Sequence, residues 1–130
     1  MAKNNDNVLL DVIDLNTRFF TGDEVIPAVN DVSFTINKGE IFGLVGESGS
    51  GKTVTAHSIM GLVHPPGRVV SGKVVFEGTD LLGLSQKQME GVRGNRIGMV
   101  FQEPMTALNP VLRIGEQISE VIEIHRSCSE

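Results

Sequence analysis

The segment Gly46-Glu47-Ser48-Gly49-Ser50-Gly51-Lys52-Thr53 constrains this chain more than any other stretch. It satisfies G-x-x-x-x-G-K-[ST] in full, the pattern of a phosphate-binding loop. Gly46, Gly49 and Gly51 reach torsions closed to other residues and let backbone amides approach an anion closely. Successive amides then form an anion-binding nest, and the helix that follows adds its positive N-terminal end. Lys52 is a flexible point charge able to reach the outer phosphates of ATP. The Thr53 hydroxyl can ligate Mg²⁺, which prefers oxygen donors and travels with the triphosphate. Glu47, Ser48 and Ser50 complete the candidate loop. The pattern alone does not name a reaction, because kinases, GTPases and transport ATPases share it.

The mechanism requires a strand before the loop and a helix after it, and the flanking residues suit both. Ile41-Phe42-Gly43-Leu44-Val45 is a short apolar run bounded by turn signals, which predicts a strand buried on both faces. From Lys52 to Val63, apolar Ala56, Ile59, Met60 and Val63 recur at helical spacing. His64-Pro65-Pro66-Gly67 stops that helix, since proline lacks an amide donor and clashes with the preceding turn.

Upstream, Val8 to Leu15 is rich in branched residues and predicts a strand. Thr21-Gly22-Asp23-Glu24 predicts a turn. Apolar and polar residues alternate from Ala28 to Ile36, which predicts a half-buried strand antiparallel to the first. Asn37 to Glu40 is a second turn. Downstream, Lys73 to Glu77 predicts a strand closed by Gly78. Ser85-Gln86-Lys87-Gln88 has the form of a capping box opening a short helix to about Arg93. Ile97 to Phe101 predicts a strand, and Gln102 to Pro110 a loop. Ile114, Ile118, Val121 and Ile122 then share one apolar helical face. Arg126 to Glu130 is polar and expected to fray.

Composition excludes several classes. With 130 residues, the chain is near the size of one domain. Its net charge of −5 comes without a Lys/Arg cluster, which argues against a nucleic-acid surface. The single cysteine, Cys128, leaves no internal disulfide and fits a reducing compartment. The polar N-terminus has no apolar signal-peptide core, and no apolar run approaches a membrane span, so any membrane link is expected to be peripheral.

Three segments carry a resemblance to a known family. They are Ala28-Val29-Asn30-Asp31-Val32-Ser33-Phe34, the run from Gly43 through Thr53, and Met99-Val100-Phe101-Gln102-Glu103-Pro104-Met105-Thr106-Ala107-Leu108-Asn109-Pro110. From about Val8 to His125 the chain resembles the N-terminal part of an ABC transporter ATP-binding subunit, and the last segment is similar to the dipeptide and oligopeptide importer branch. The resemblance implies an α/β P-loop NTPase fold of the ABC ATPase type with an N-terminal antiparallel β subdomain. It implies that Gln102 matches the glutamine of the Q-loop, which touches Mg²⁺ and the attacking water and responds to the membrane partner. It also sets Phe19 where the family stacks an aromatic on adenine; Phe20 is adjacent, and the residues alone do not choose between them. Glu103 is assigned no chemistry.

The resemblance further implies ATP and Mg²⁺ as ligands, a second ATPase subunit and membrane permease subunits as partners, and a peripheral place on the cytoplasmic face of the cell membrane. No Walker B aspartate with a following glutamate, LSGGQ-type signature or switch histidine occurs in the chain. His57, His64 and His125 do not stand where that histidine would. The expectation is one incomplete nucleotide-binding domain over residues 1–130 with no catalytic residue of its own. Without a Walker B strand beside it, the Ile41–Val45 strand is expected to leave an apolar edge open and the isolated chain to aggregate. The competing readings are a non-catalytic nucleotide-binding fragment, another P-loop enzyme such as a small-molecule kinase, and a soluble ABC protein.

Overall fold

A computed structural model describes residues 7–103 and 107–126. Cys128 and the 104–106 part of the third motif segment lie outside the described residues. The chain forms two compact units that divide between Leu84 and Ser85.

The first unit is built on a four-stranded antiparallel sheet. Its strands are β1 (Val8–Thr21), β2 (Glu24–Asn37), β3 (Gly67–Phe76) and β4 (Thr79–Asp80), in the spatial order β2-β1-β3-β4. β1 and β2 pair from Val8 with Asn37 down to Thr21 with Glu24. The expected antiparallel pair is therefore present, starting at Val8 as read, but it runs further toward its turn than the apolar patterning indicates. Gly22, at φ +58°, closes the turn in a conformation glycine takes without cost. The continuation through Arg18, Phe19 and Phe20 is polar and aromatic rather than alternating, so it carries no period-2 signal, yet ladder bonds to β2 and β3 hold it extended. β3 likewise begins at Gly67, ahead of the Lys73 start read from the sequence.

All three long strands are irregular near Asn16. Register shifts interrupt β1 against β2 and against β3 there. Asn16 is buried and stitches the bulge together. Its Nδ2 donates to the Asp14 carbonyl at 2.9 Å and to Asp31 Oδ1 at 2.8 Å, and the Asp31 amide donates to its Oδ1 at 3.1 Å. The inner face of the sheet buries Leu10, Val12, Leu15, Val29 and Val74, with Met60 and Leu81.

The helix after the glycine loop, α1, spans Lys52–Ile59. It stops short of the expected Val63 because Gly61 adopts φ +61°. The Leu62 amide then donates to the His57 carbonyl at 2.8 Å and the Gly61 amide to the Ser58 carbonyl at 3.2 Å, a Schellman stop. A short 3₁₀ turn, Leu81–Gly83, ends the unit.

The expected strand over Ile41–Val45 does not form: residues 41–47 are irregular. Ile41 is 100% exposed and Val45 94%. A parallel strand needs neighbours for its backbone groups, and none is present in the described residues. The apolar stretch is left open without forming a strand edge; Phe42 and Leu44 are covered in part, the Phe42 ring stacked on Phe34 at 4.9 Å.

The second unit contains α2 (Gln86–Val92) and α3 (Ile114–His125). The Ser85–Gln88 capping box forms as read: the Ser85 amide donates to Gln88 Oε1 at 2.9 Å, and the Gln88 amide donates to Ser85 Oγ at 3.4 Å. The expected strand at Ile97–Phe101 reduces to one parallel bridge between Arg93 and Ile97. Met89 is buried, whereas α3 buries none of its residues and leaves Ile114, Ile118, Val121 and Ile122 exposed. Among the described residues no helix is long and apolar enough to cross a membrane.

Candidate functional site

The candidate site begins where β2 passes the start of α1. Gly51 is the N-cap of α1 and sits at φ +90°. A Cβ at this position would collide with the carbonyl oxygen of Ala28 on β2. Both the torsion and the approach require glycine. Gly49, at φ +80°, makes the preceding bend, and the Ser50 amide donates to the Glu47 carbonyl at 3.2 Å. A Cβ at Gly46 would lie 2.5 Å from Ser50 Oγ, so the loop closes on itself across its first glycine.

An α-helix leaves its first four amides without intrahelical acceptors. No side chain caps α1, and its first turn carries no acidic residue. The positive end of this helix is thus free of a built-in anion. Lys52 curls back under the loop. Its Nζ donates to the Gly46 carbonyl at 2.7 Å, the Glu47 carbonyl at 2.6 Å and Ser50 Oγ at 3.2 Å. These acceptors are neutral, so an anionic oxygen competes well for the same ammonium. Ile26 to Ala28 and Gly49 to Val54 enclose a cleft of about 270 Å³ at this point.

Thr53 lines the cleft and is exposed. Its hydroxyl is a hard oxygen donor of the kind Mg²⁺ takes together with phosphate oxygens and water. No cluster of three His, Cys, Asp or Glu side chains that could cage a metal occurs among the described residues. The donor set therefore suits a cation delivered with a phosphate ligand rather than one held by carboxylates.

Phe19 and Phe20, the aromatic candidates, stand apart from the cleft lining. Phe19 is half-buried on β1, with its ring laid against Gly67, where a Cβ would lie 2.6 Å from it. Phe20 has the Arg68 guanidinium 4.3 Å above its ring and lines a separate hollow with Pro65 and Pro66. Neither ring lines the 270 Å³ cleft. Gln102 belongs to the second unit, exposed at a bend between Phe101 and Glu103.

Sequence reasoning missed Ile26, Pro27 and Ala28 as one wall of the cleft. Their only signal was the family-like run beginning at Ala28. It also missed the buried hydroxyls of Thr55 and Ser58, which sit on the face of α1 turned inward.

The oligopeptide transport ATP-binding protein OppD of Haemophilus influenzae is 49% identical over 120 residues, covering 92% of this chain. The oligopeptide transport ATP-binding protein AppD of Bacillus subtilis is 51% identical over 122 residues, covering 93% of it. The chain spans 37% of the length of each of these relatives. A dimeric bacterial ABC transporter cassette superposes with a TM-score of 0.80 at 25% identity, over 94% of this chain and 50% of that one. Residues 29–129 match the ABC transporter family as a whole, and this chain belongs to that family.

Proposed function

We propose that residues 46–53 bind the phosphates of ATP, with Mg²⁺ held beside Thr53, in the first part of the nucleotide-binding domain of a peptide-importer ATPase. The observation that carries this reading is the uncapped N-terminus of α1 behind a glycine loop that holds the Lys52 ammonium on neutral oxygens. Backbone amides supply directional donors, the helix end supplies positive potential, and Lys52 moves its hydrogen bonds from carbonyls to phosphate.

By the family resemblance, Gln102 would serve Mg²⁺ and the attacking water, and Phe19, or the adjacent Phe20, would stack on adenine beyond the cleft lining. The longer cassette pairs with a second ATPase subunit and a membrane permease at the cytoplasmic face. Closure of two such subunits moves the permease because ATP favours one arrangement over another. Relatives named for oligopeptide transport support the peptide branch.

For these 130 residues taken by themselves, we place binding ahead of hydrolysis. No Asp-Glu pair follows Gln102 in these residues, and the general-base carboxylate that the family resemblance implies has no counterpart among them. A fluorescent ATP analogue titrated into the 130-residue chain, with and without Mg²⁺, tests the binding. Saturable binding displaced by ATP and lost in Lys52→Ala supports it. Steady-state ATP turnover by this chain that Lys52→Ala abolishes would overturn the binding-only assignment.

A further inference from the structure

The face that α1 turns to the sheet is polar. Thr55 and Ser58 are its buried residues. Thr55 Oγ1 donates to the Gly51 carbonyl at 2.9 Å, and Ser58 Oγ donates to the Val54 carbonyl at 2.7 Å. Such bonds stay within the helix and leave its setting on the sheet open. A further bond crosses to the sheet: Ser58 Oγ lies 2.7 Å from Thr17 Oγ1, and both residues are 0% exposed.

The proton positions follow from this arrangement. A hydroxyl has one proton to donate. Ser58 gives its own to Val54, so the Thr17 hydroxyl donates to Ser58. Thr17 lies on the central strand β1, paired with Val29 on β2 and Val69 on β3. Val29 follows Ala28, whose carbonyl oxygen abuts Gly51. Two neighbouring points of the sheet thus hold α1, one at its start and one near its end.

We infer that Thr17, acting through Ser58, is a positioning residue for the phosphate loop. The hydroxyl pair sets the rotation and advance of α1 on the sheet, and with them the direction of the first-turn amides. Apolar groups of the same size would pack there equally well but would tolerate sliding. A hydrogen bond between two fully buried hydroxyls does not, because breaking it takes the acceptor from the Thr17 hydroxyl in a dry interior. This inference rests on the phosphate-binding reading of residues 46–53.

The test uses the 130-residue chain and four proteins: unaltered, Thr17→Val, Thr17→Ser, and the double variant T17V/S58A. Affinity for a fluorescent ATP analogue and thermal midpoint are measured on each. Amide hydrogen exchange from Thr53 to Ala56 is measured without nucleotide. Thr17→Val is expected to weaken binding about tenfold, and Thr17→Ser to stay within about twofold. The double variant, which removes both hydroxyls, is expected to hold the thermal midpoint near that of T17V while binding stays weak. Exchange in the first turn of α1 is expected to quicken in both Val variants. Unchanged affinity in T17V, or affinity that recovers in T17V/S58A, overturns the inference. Should T17V fail to fold, the double variant and Thr17→Ser decide. If the unaltered chain binds no analogue, the phosphate reading falls; the exchange data then judge the positioning alone, and unchanged exchange overturns it.

Discussion

The backbone of Gly51 rests against the carbonyl oxygen of Ala28 with no room for a side chain between them. β2 therefore touches the phosphate loop at the residue that opens α1. Gly51→Ala meets two penalties there, a left-handed torsion and a collision with backbone that cannot swing aside. The expected loss of stability is about 2 kcal/mol. Nucleotide-analogue binding should fall with it, because relief of the collision moves the start of α1. Denaturant unfolding with a parallel binding titration checks both.

Lys52→Ala separates the role of the lysine from that of the fold. Its three hydrogen bonds are to the loop itself, and the side chain is half-buried rather than part of the core. The thermal midpoint is expected to change little, while affinity for an ATP analogue falls by at least about tenfold. A large drop in midpoint with preserved affinity would falsify the assignment of Lys52 to phosphate.

Ser85→Ala removes half of a capping box whose two arms are both present. The expected cost is about 1 kcal/mol, confined to α2. Amide exchange should quicken from Gln86 to Met89 and stay unchanged in the sheet. Equal quickening in β1 would contradict this.

Ile41 and Val45 are exposed at 100% and 94%. Substituting both with lysine should leave the unfolding free energy within about 0.5 kcal/mol of the unaltered chain, since neither is buried. It should also reduce aggregation and the binding of a dye that reports exposed apolar surface. Light scattering and dye fluorescence test this. No change in either would mean that other surfaces, such as the open face of α3, govern association.

The parts of this protein legible in the sequence are those whose physics is local. The capping box at Ser85 and Gln88 needs only two side chains and their own backbone, so four residues suffice to announce it. The glycine loop is similar: its torsions and its lysine are demanded by the anion, and they stand together between Gly46 and Thr53. Phe19 and Phe20 show the limit of such reading. Adjacent residues on a strand face opposite ways, and only the fold lays one against Gly67 and the other under Arg68.

What the tertiary structure decided depends on residues far apart in the chain. The apolar run from Ile41 to Val45 carries strand propensity, yet a strand exists only through hydrogen bonds to neighbours, and among the described residues it has none. Conversely, Arg18 to Thr21 has little strand pattern, yet β2 pairs with it and holds it extended. Thr17 and Ser58 lie on separate elements, and no periodicity links them. Their hydrogen bond arises only when α1 docks on the sheet, because burial leaves each hydroxyl no water to turn to. The sequence determined that this chain carries a phosphate loop; the fold decided which strands form and what holds that loop in place.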